Sequence, residues 1–288
     1  MISLDGVDRS PYAKTSPSDK LMEEVTDLRT VDVSKSTKVG YTLLNRHLIG
    51  EGAPIVSIGG FMSDLSMPDR AWEGIHLASL GRPVLMLDLP GHGQSTPSDS
   101  RQVFDLCIRR TADSQARPMT EAVQKLLNQE DRIDYFGISH GGLLSLKAAE
   151  QDPEDRVGTV FGLDIPAVKR RFSLGLQVGY MVLDGLVGNK KYLRVLDDTP
   201  FMADFENFRA SHAEYDIEPA KKFYSNNKGL FLLNLFASIN ARPVALEAWS
   251  NIMSSKSADV RAVTSANGHV SDPTAIGEFI SHLDPAHQ

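Results

Sequence analysis

Gly137-Ile138-Ser139-His140-Gly141 places a serine between glycines two residues to either side. That spacing suits a turn so tight that a Cβ at either glycine would meet neighbouring backbone. The run Arg132–Phe136 before it reads as a short buried strand, and Gly142–Glu150 after it reads as a helix. A G-x-S-x-G segment between strand and helix exposes the serine hydroxyl at the tip of a sheet, over a helix N-terminus that favours negative charge. The chemistry that fits is nucleophilic attack on an acyl carbon. Taken alone, the five residues also fit a plain tight turn with an incidental serine, so the rest of the chain must supply partners.

A serine hydroxyl is a weak nucleophile near neutral pH and needs a base within hydrogen-bond reach, usually an imidazole. The chain has eight histidines, and His269 stands out because Asn267-Gly268-His269 directly follows a last strand candidate. A C-terminal histidine loop fits the chain order serine, acid, histidine; a plain surface loop is the simpler alternative. His140 adjoins the serine but opens the helix, so its side chain is expected to point elsewhere. His92 lies on the loop after another strand and reads as a neighbour of the pocket or a solvated residue. An attacked carbonyl also needs two converging donors for its oxyanion. The backbone N–H of His140 is one candidate. The N–H of Phe61 is the other, with Met62 as the alternative, because Gly59-Gly60 lets that backbone approach; a simple turn would use the same glycines.

These groups need a scaffold, and the hydrophobic pattern describes one. Glu24–Val33 and Lys38–Leu44 form a plausible hairpin around Ser34–Thr37. Ile55–Ile58, Val84–Leu87, Val157–Leu163 and Val260–Val263 are short apolar runs without polar alternation, as in strands buried on both faces. Helical periodicity covers Met67–Leu80, two stretches near 102–114 and 118–129, and the terminal Pro273–Leu283. Strands alternating with helices predict an α/β fold with a mostly parallel central sheet covered on both faces. Residues 167–240 break the rhythm and read as an inserted helical cap. The expected organisation is a flexible arm over 1–20, a core over 21–166 and 241–288, and the cap between.

The bulk numbers narrow the function classes. With 288 residues and 41% hydrophobic content, the chain can bury a large core. A formal net charge of −7 and the absence of a long basic run argue against nucleic acid as partner. The single cysteine, Cys107, excludes an intrachain disulfide and a cysteine-rich zinc site. The polar, acidic start shows no signal peptide, and no apolar run reaches the ~18 residues of a spanning helix. These features predict a soluble, cytoplasmic protein acting on a small molecule, with no metal and no cofactor.

Four landmarks in order, Gly59-Gly60-Phe61, Asp88-Leu-Pro-Gly-His-Gly-Gln-Ser95, Gly137-Ile-Ser-His-Gly-Gly142 and Asn267-Gly-His269, make the chain resemble the α/β-hydrolase family. The likeness covers roughly residues 24–166 and 257–283. Where the family usually has His-Gly, this chain has Gly59-Gly60, which leaves the backbone donor intact. The resemblance implies Ser139 as nucleophile, His269 as base, and a structural rather than catalytic role for Asp88. It also implies an acid that orients the imidazole. In most of the family this follows a strand just before the histidine strand, but Pro243–Trp249 is equally good helix and offers only Glu247 in mid-run. Some members place the acid after the strand that follows the elbow, which points here to Asp164. Asp259 is the alternative, and Glu247 or no acid is the remainder.

The implied activity is a serine hydrolase, carboxylesterase-like, acting on a small and largely apolar substrate. Thioester, lactone or carbon–carbon hydrolysis could use the same machinery, and a binding protein without catalysis could use the same scaffold. Epoxide hydrolysis and dehalogenation are disfavoured, because relatives with that chemistry have Asp where this chain has Ser139. In the cap, Phe172, Leu174, Leu176, Val178, Tyr180, Met181 and Leu186 suggest an apolar lining for an acyl or aryl group, though packing onto the core would use the same residues. Lys169-Arg170-Arg171 could meet a substrate carboxylate, or simply be a solvated helix start.

Overall fold

The computed structural model describes residues 19–60, 63–97, 99–105, 109, 111–163, 165, 242–255 and 258–263. Among them, seven strands form one sheet: β1 (Arg29–Asp32), β2 (Lys38–Leu44), β3 (Ile55–Ile58), β4 (Val84–Leu87), β5 (Ile133–Ile138), β6 (Val157–Leu163) and β7 (Asp259–Val263), in spatial order β1-β2-β4-β3-β5-β6-β7. β1 and β2 form the expected antiparallel hairpin, and β2 also pairs antiparallel with β4. Every other neighbouring pair is parallel. Among the described residues the α-helices are α1 (Asp19–Thr26), α2 (Pro68–Ala78), α3 (Ser100–Phe104), α4 (Asp113–Leu126), α5 (His140–Glu150) and α6 (Arg242–Ser255).

The apolar strands are apolar because both faces are covered. Val84 and Met86 of β4 join Ile55, Phe136, Phe161 and Leu163 in one cluster with Ala71, Ile75 and Leu77 of α2 and Val25 of α1. Their neighbours Leu85 and Leu87 turn to the other face. There Val56, Tyr135 and Val160 meet Met119 and Val123 of α4, Leu143 and Leu146 of α5, and Ala248 and Ile252 of α6. Phe136 and Phe161 stack across the β5–β6 pair with ring centroids 5.9 Å apart. The expected α/β architecture is therefore present, and no helix among the described residues is long and apolar enough to cross a membrane.

Two elements differ from the sequence expectation, and a third resolves an alternative that the sequence left open. Residues 19–26 form a helix, not arm and strand, because tertiary contacts hold them: Val25 is buried, Leu21 and Met22 pack beside it, and the Glu24 carboxylate accepts from the Asn45 amide at 2.7 Å. α4 begins before Pro118 and runs through it. Proline cannot donate to the carbonyl four residues back, at Ser114. Gln102 Nε2 donates to that carbonyl at 3.1 Å. The ambiguous run Pro243–Trp249 is helix within α6, where Ala248 and Ile252, one turn apart, face the core. The arm residues 1–18 and the whole proposed cap lie outside the described residues.

The sheet order carries a consequence for function. The chain leaves β3 toward β4 on one side and leaves β5 toward β6 on the other. Adjacent parallel strands whose connections diverge leave a crevice at their C-terminal ends, the place where open α/β sheets bind ligands. Gly59-Gly60 follows β3 and Ser139 follows β5, so the two segments singled out by their chemistry flank that crevice.

Packing at the sheet centre sets the expected mutational response. Phe161→Ala should lower the unfolding free energy by about 3–5 kcal/mol in guanidinium titration. Met253→Ala, at a side chain 54% exposed, should stay within about 0.5 kcal/mol.

Candidate active site

Ser139 has φ 51° and ψ −121°, a left-handed backbone in a non-glycine residue at the junction of β5 and α5. Such a conformation costs on the order of 1–3 kcal/mol and survives only where its surroundings enforce it. The Ser139 N–H donates to the Leu163 carbonyl of β6 at 2.8 Å. Its carbonyl accepts from the amides of Gly142 and Leu143 at 3.0 and 3.3 Å. The flanking glycines are forced by contact. A Cβ on Gly137 would sit 2.5 Å from the Gly141 carbonyl oxygen and 2.6 Å from Gly142 Cα. A Cβ on Gly141 would overlap the carbonyl oxygens of Ile58 and Gly59. The first turn of α5 is thus pressed onto the end of β3. Ser139 itself remains half-buried, while His140 to Ala149 behind it are buried.

The β3 end supplies the other wall. A Cβ on Gly60 would lie 3.7 Å from Ser139 Cβ and 3.6 Å from the Ile138 carbonyl oxygen, so this loop runs alongside the serine. Behind Gly59 stand the Arg70 guanidinium and the Ser63 hydroxyl, 2.7 and 2.8 Å from where a Cβ would be. Arg70 pairs with Glu73, and both contact the Ser57 hydroxyl of β3; the two charged side chains are 3% and 4% exposed. Sequence periodicity missed this pair, since Arg and Glu three apart on a helix usually form a solvated face. The chemistry of the place explains it: a charge this buried needs a partner. Phe61 and Met62, the two candidate oxyanion donors of this loop, lie outside the described residues. His140 contributes the first backbone N–H of α5, at the positive end of the helix dipole.

The His140 imidazole is buried against α4, with Nε2 3.1 Å from Gln115 Oε1. As expected from its place at the helix start, the side chain is engaged elsewhere. Burial pushes it down to about 4. His92 is also buried, its Nδ1 donating to the Pro90 carbonyl at 3.1 Å, and burial with the nearby His140 takes it to about 3. Asp88 is a structural staple. One carboxylate oxygen accepts from the Leu65 amide at 2.9 Å and the other from the Gln94 amide at 3.1 Å, joining the loops after β3 and β4. Burial raises it to about 6.

The remaining candidates separate by position along the strands. β7 is in register with β6 so that Asp259 faces Thr159 and Val263 faces Leu163, while Leu163 faces Ile138. Asp259 therefore starts β7 roughly 13 Å down the strand from the Ser139 edge. It is exposed there and bonds Arg261 at 2.6 Å. The structure does not bring it to the serine, which corrects its standing as the alternative acid. Glu247 is exposed on α6. Asp164 immediately follows Leu163, and His269 lies six residues beyond Val263, so both follow strand ends on the Ser139 edge; both residues are outside the described ones. Among the described residues, no cluster of three or more His, Cys, Asp or Glu could hold a metal ion.

The buried histidines make stability depend on pH. Below about 6.5 the unfolded chain protonates His92 and His140 while the folded chain does not, so stability falls on acidification. Asp88 acts in the opposite sense, since the folded carboxyl takes up its proton first, but its displacement is smaller. The net loss from pH 7 to pH 5 should be on the order of 2 kcal/mol in urea unfolding. His92→Asn should remove most of that acid sensitivity.

A family model described as alpha/beta hydrolase fold matches residues 53–256, well over half of the chain. No curated protein sequence matches it. Among solved structures, the enol-lactonase from Burkholderia xenovorans LB400 is 18% identical with a TM-score of 0.55, the match covering 88% of this chain and 98% of that one. An α/β-hydrolase enzyme from a Medee basin deep-sea metagenome library is 12% identical with a TM-score of 0.52, over 88% and 95% of the two chains. A protein from Pseudomonas aeruginosa, provisionally named an epoxide hydrolase, is 13% identical with a TM-score of 0.53, over 91% and 96%. At these identities the likeness speaks for the fold. Joined to a family model that spans most of the sheet and to a strained serine at the reversal of strand order, it shows that the chain belongs to the α/β-hydrolase fold family.

Proposed function

We propose that the protein is a serine hydrolase that cleaves a carboxylic ester of a small, largely apolar molecule through an acyl-enzyme. The observation that carries this reading is the strained Ser139 backbone at the β5–α5 junction, beside the crevice between the β3 and β5 ends. Strain of this kind is retained where function uses it. An aspartate would be needed at this position for the epoxide-opening chemistry of relatives, and the residue is serine.

In this reading Ser139 Oγ attacks the acyl carbon as His269 takes its proton. The carbonyl oxygen becomes an oxyanion held by the backbone N–H groups of His140 and Phe61, with Met62 as the other candidate. The tetrahedral intermediate collapses, and His269 protonates the departing alkoxide. Water then gives a proton to His269 as it attacks the acyl-enzyme, and the second tetrahedral intermediate collapses to release the acid while His269 returns that proton to Ser139 Oγ. Asp164 orients the imidazole and stabilises the imidazolium. Two features support it over Asp259: it follows β6 at the strand end whose carbonyl holds the Ser139 amide, and Asp259 starts its strand at the far end. The apolar substrate rests on the cap composition, and thioester, lactone or carbon–carbon substrates would use the same residues.

A fluorophosphonate probe should label the folded protein at Ser139, and Ser139→Ala should abolish labelling while lowering ester turnover by about 10⁴-fold or more. Absence of labelling in folded wild-type protein would contradict the hydrolase reading and favour a binding role. Asp164→Asn should reduce kcat by about 10³–10⁴-fold with an unchanged melting curve; near-normal turnover would remove it from the triad.

A further inference from the structure

We propose that Gln115 of α4 is a positioning residue for the His140 backbone amide, an inference that rests on the serine-hydrolase reading. That amide belongs to the Ser139–His140 peptide. The Ser139 carbonyl of the same peptide accepts from the Gly142 and Leu143 amides at 3.0 and 3.3 Å. A trans peptide carries its N–H on the side opposite its carbonyl, so this N–H points outward from the N-terminal end of α5. A peptide plane held by its carbonyl oxygen can still swing about that oxygen. A second hold, on the His140 side, stops the swing. α5 begins His140-Gly141-Gly142, so of these three residues only His140 has a side chain that can brace the turn. Its imidazole is buried, with Nε2 3.1 Å from Gln115 Oε1. An amide oxygen only accepts, so Nε2 carries the ring proton and donates. Burial pushes this imidazole down to about 4, so it is neutral at pH 7 and the tether does not titrate there.

Gln115 can brace the turn because α4 is fixed without it. The residue is 2% exposed, in the first turn of α4. Two residues before it, the Asp113 carboxylate accepts from Lys147 Nζ of α5 at 2.8 Å and from Gln151 Nε2 at 3.2 Å. The Ser114 carbonyl accepts from Gln102 Nε2 at 3.1 Å. Farther along α4, Met119 and Val123 share the core with Leu143 and Leu146 of α5. The tether therefore runs from a packed pair of helices to the peptide that follows the nucleophile. A donor aimed at the developing charge accelerates the reaction because no reorganisation is needed when charge appears.

The test is a cycle of Gln115→Met and His140→Phe, each protein assayed where circular dichroism shows it folded. Gln115→Met keeps the length of the side chain and removes the amide oxygen. It should lower kcat for an ester substrate about tenfold with little change in KM, and weaken a boronic acid transition-state analogue by a similar factor. Added to His140→Phe, where no imidazole is left to hold, the same change should alter kcat less than about twofold. In wild-type protein, nitrogen NMR of the His140 imidazole should show the Nε2–H tautomer. Equal kcat and equal analogue affinity in wild type and Gln115→Met would overturn the assignment while leaving the hydrolase reading intact, as would an Nδ1–H tautomer. A loss confined to KM, or a loss that persists in full in the His140→Phe background, would overturn it also. Folded wild-type protein that takes no fluorophosphonate label would overturn both.

Discussion

Ser139 keeps a left-handed backbone because three pieces of structure leave it no other place. β6 binds its amide, the first turn of α5 binds its carbonyl, and the end of β3 presses on Gly141. Each restraint comes from a different part of the chain, so the cost of the strained residue is spread over the sheet. The sheet order, the two-sided hydrophobic packing and the run of small residues around the elbow all serve that one junction. Without β6 beside β5, the amide of Ser139 would lose its partner. Without glycine at 141, α5 could not approach β3.

A second requirement follows from burying the crevice floor. Loops at strand ends carry backbone polar groups and charged side chains into low dielectric, where each must find a partner. Asp88 meets this need for two loops at once by accepting from Leu65 and Gln94. Arg70 and Glu73 meet it under the β3 loop, with Ser57 between them. These contacts hold the connections after β3 and β4 as fixed walls beside the crevice.

Much of this was legible as pattern. Val84-Leu-Met-Leu87 has no alternation because its two faces meet different helices, and that same fact identified a parallel sheet. The elbow was legible because steric exclusion is local: glycine at 137 and 141 is required by contacts within and beside the turn. The departures arose where a distant partner overrode a local preference. α1 is helical because β2 receives it, and α4 tolerates Pro118 because Gln102, from another helix, satisfies the carbonyl that proline leaves without its donor. The Arg70–Glu73 pair was invisible because its burial depends on what packs over α2, and sequence spacing does not report that.

The sequence by itself therefore determined the fold class and the position of the tight turn at Ser139, since hydrophobic period and glycine spacing are consequences of short-range sterics. Only the tertiary structure decided which strand ends share an edge. Register put the ends of β3, β5, β6 and β7 together and left Asp259 at the far end of its strand, although in the sequence it lies nearer to His269 than Asp164 does. That distinction had to come from folding, because hydrogen bonding between strands sets their alignment, and alignment joins residues that are remote along the chain.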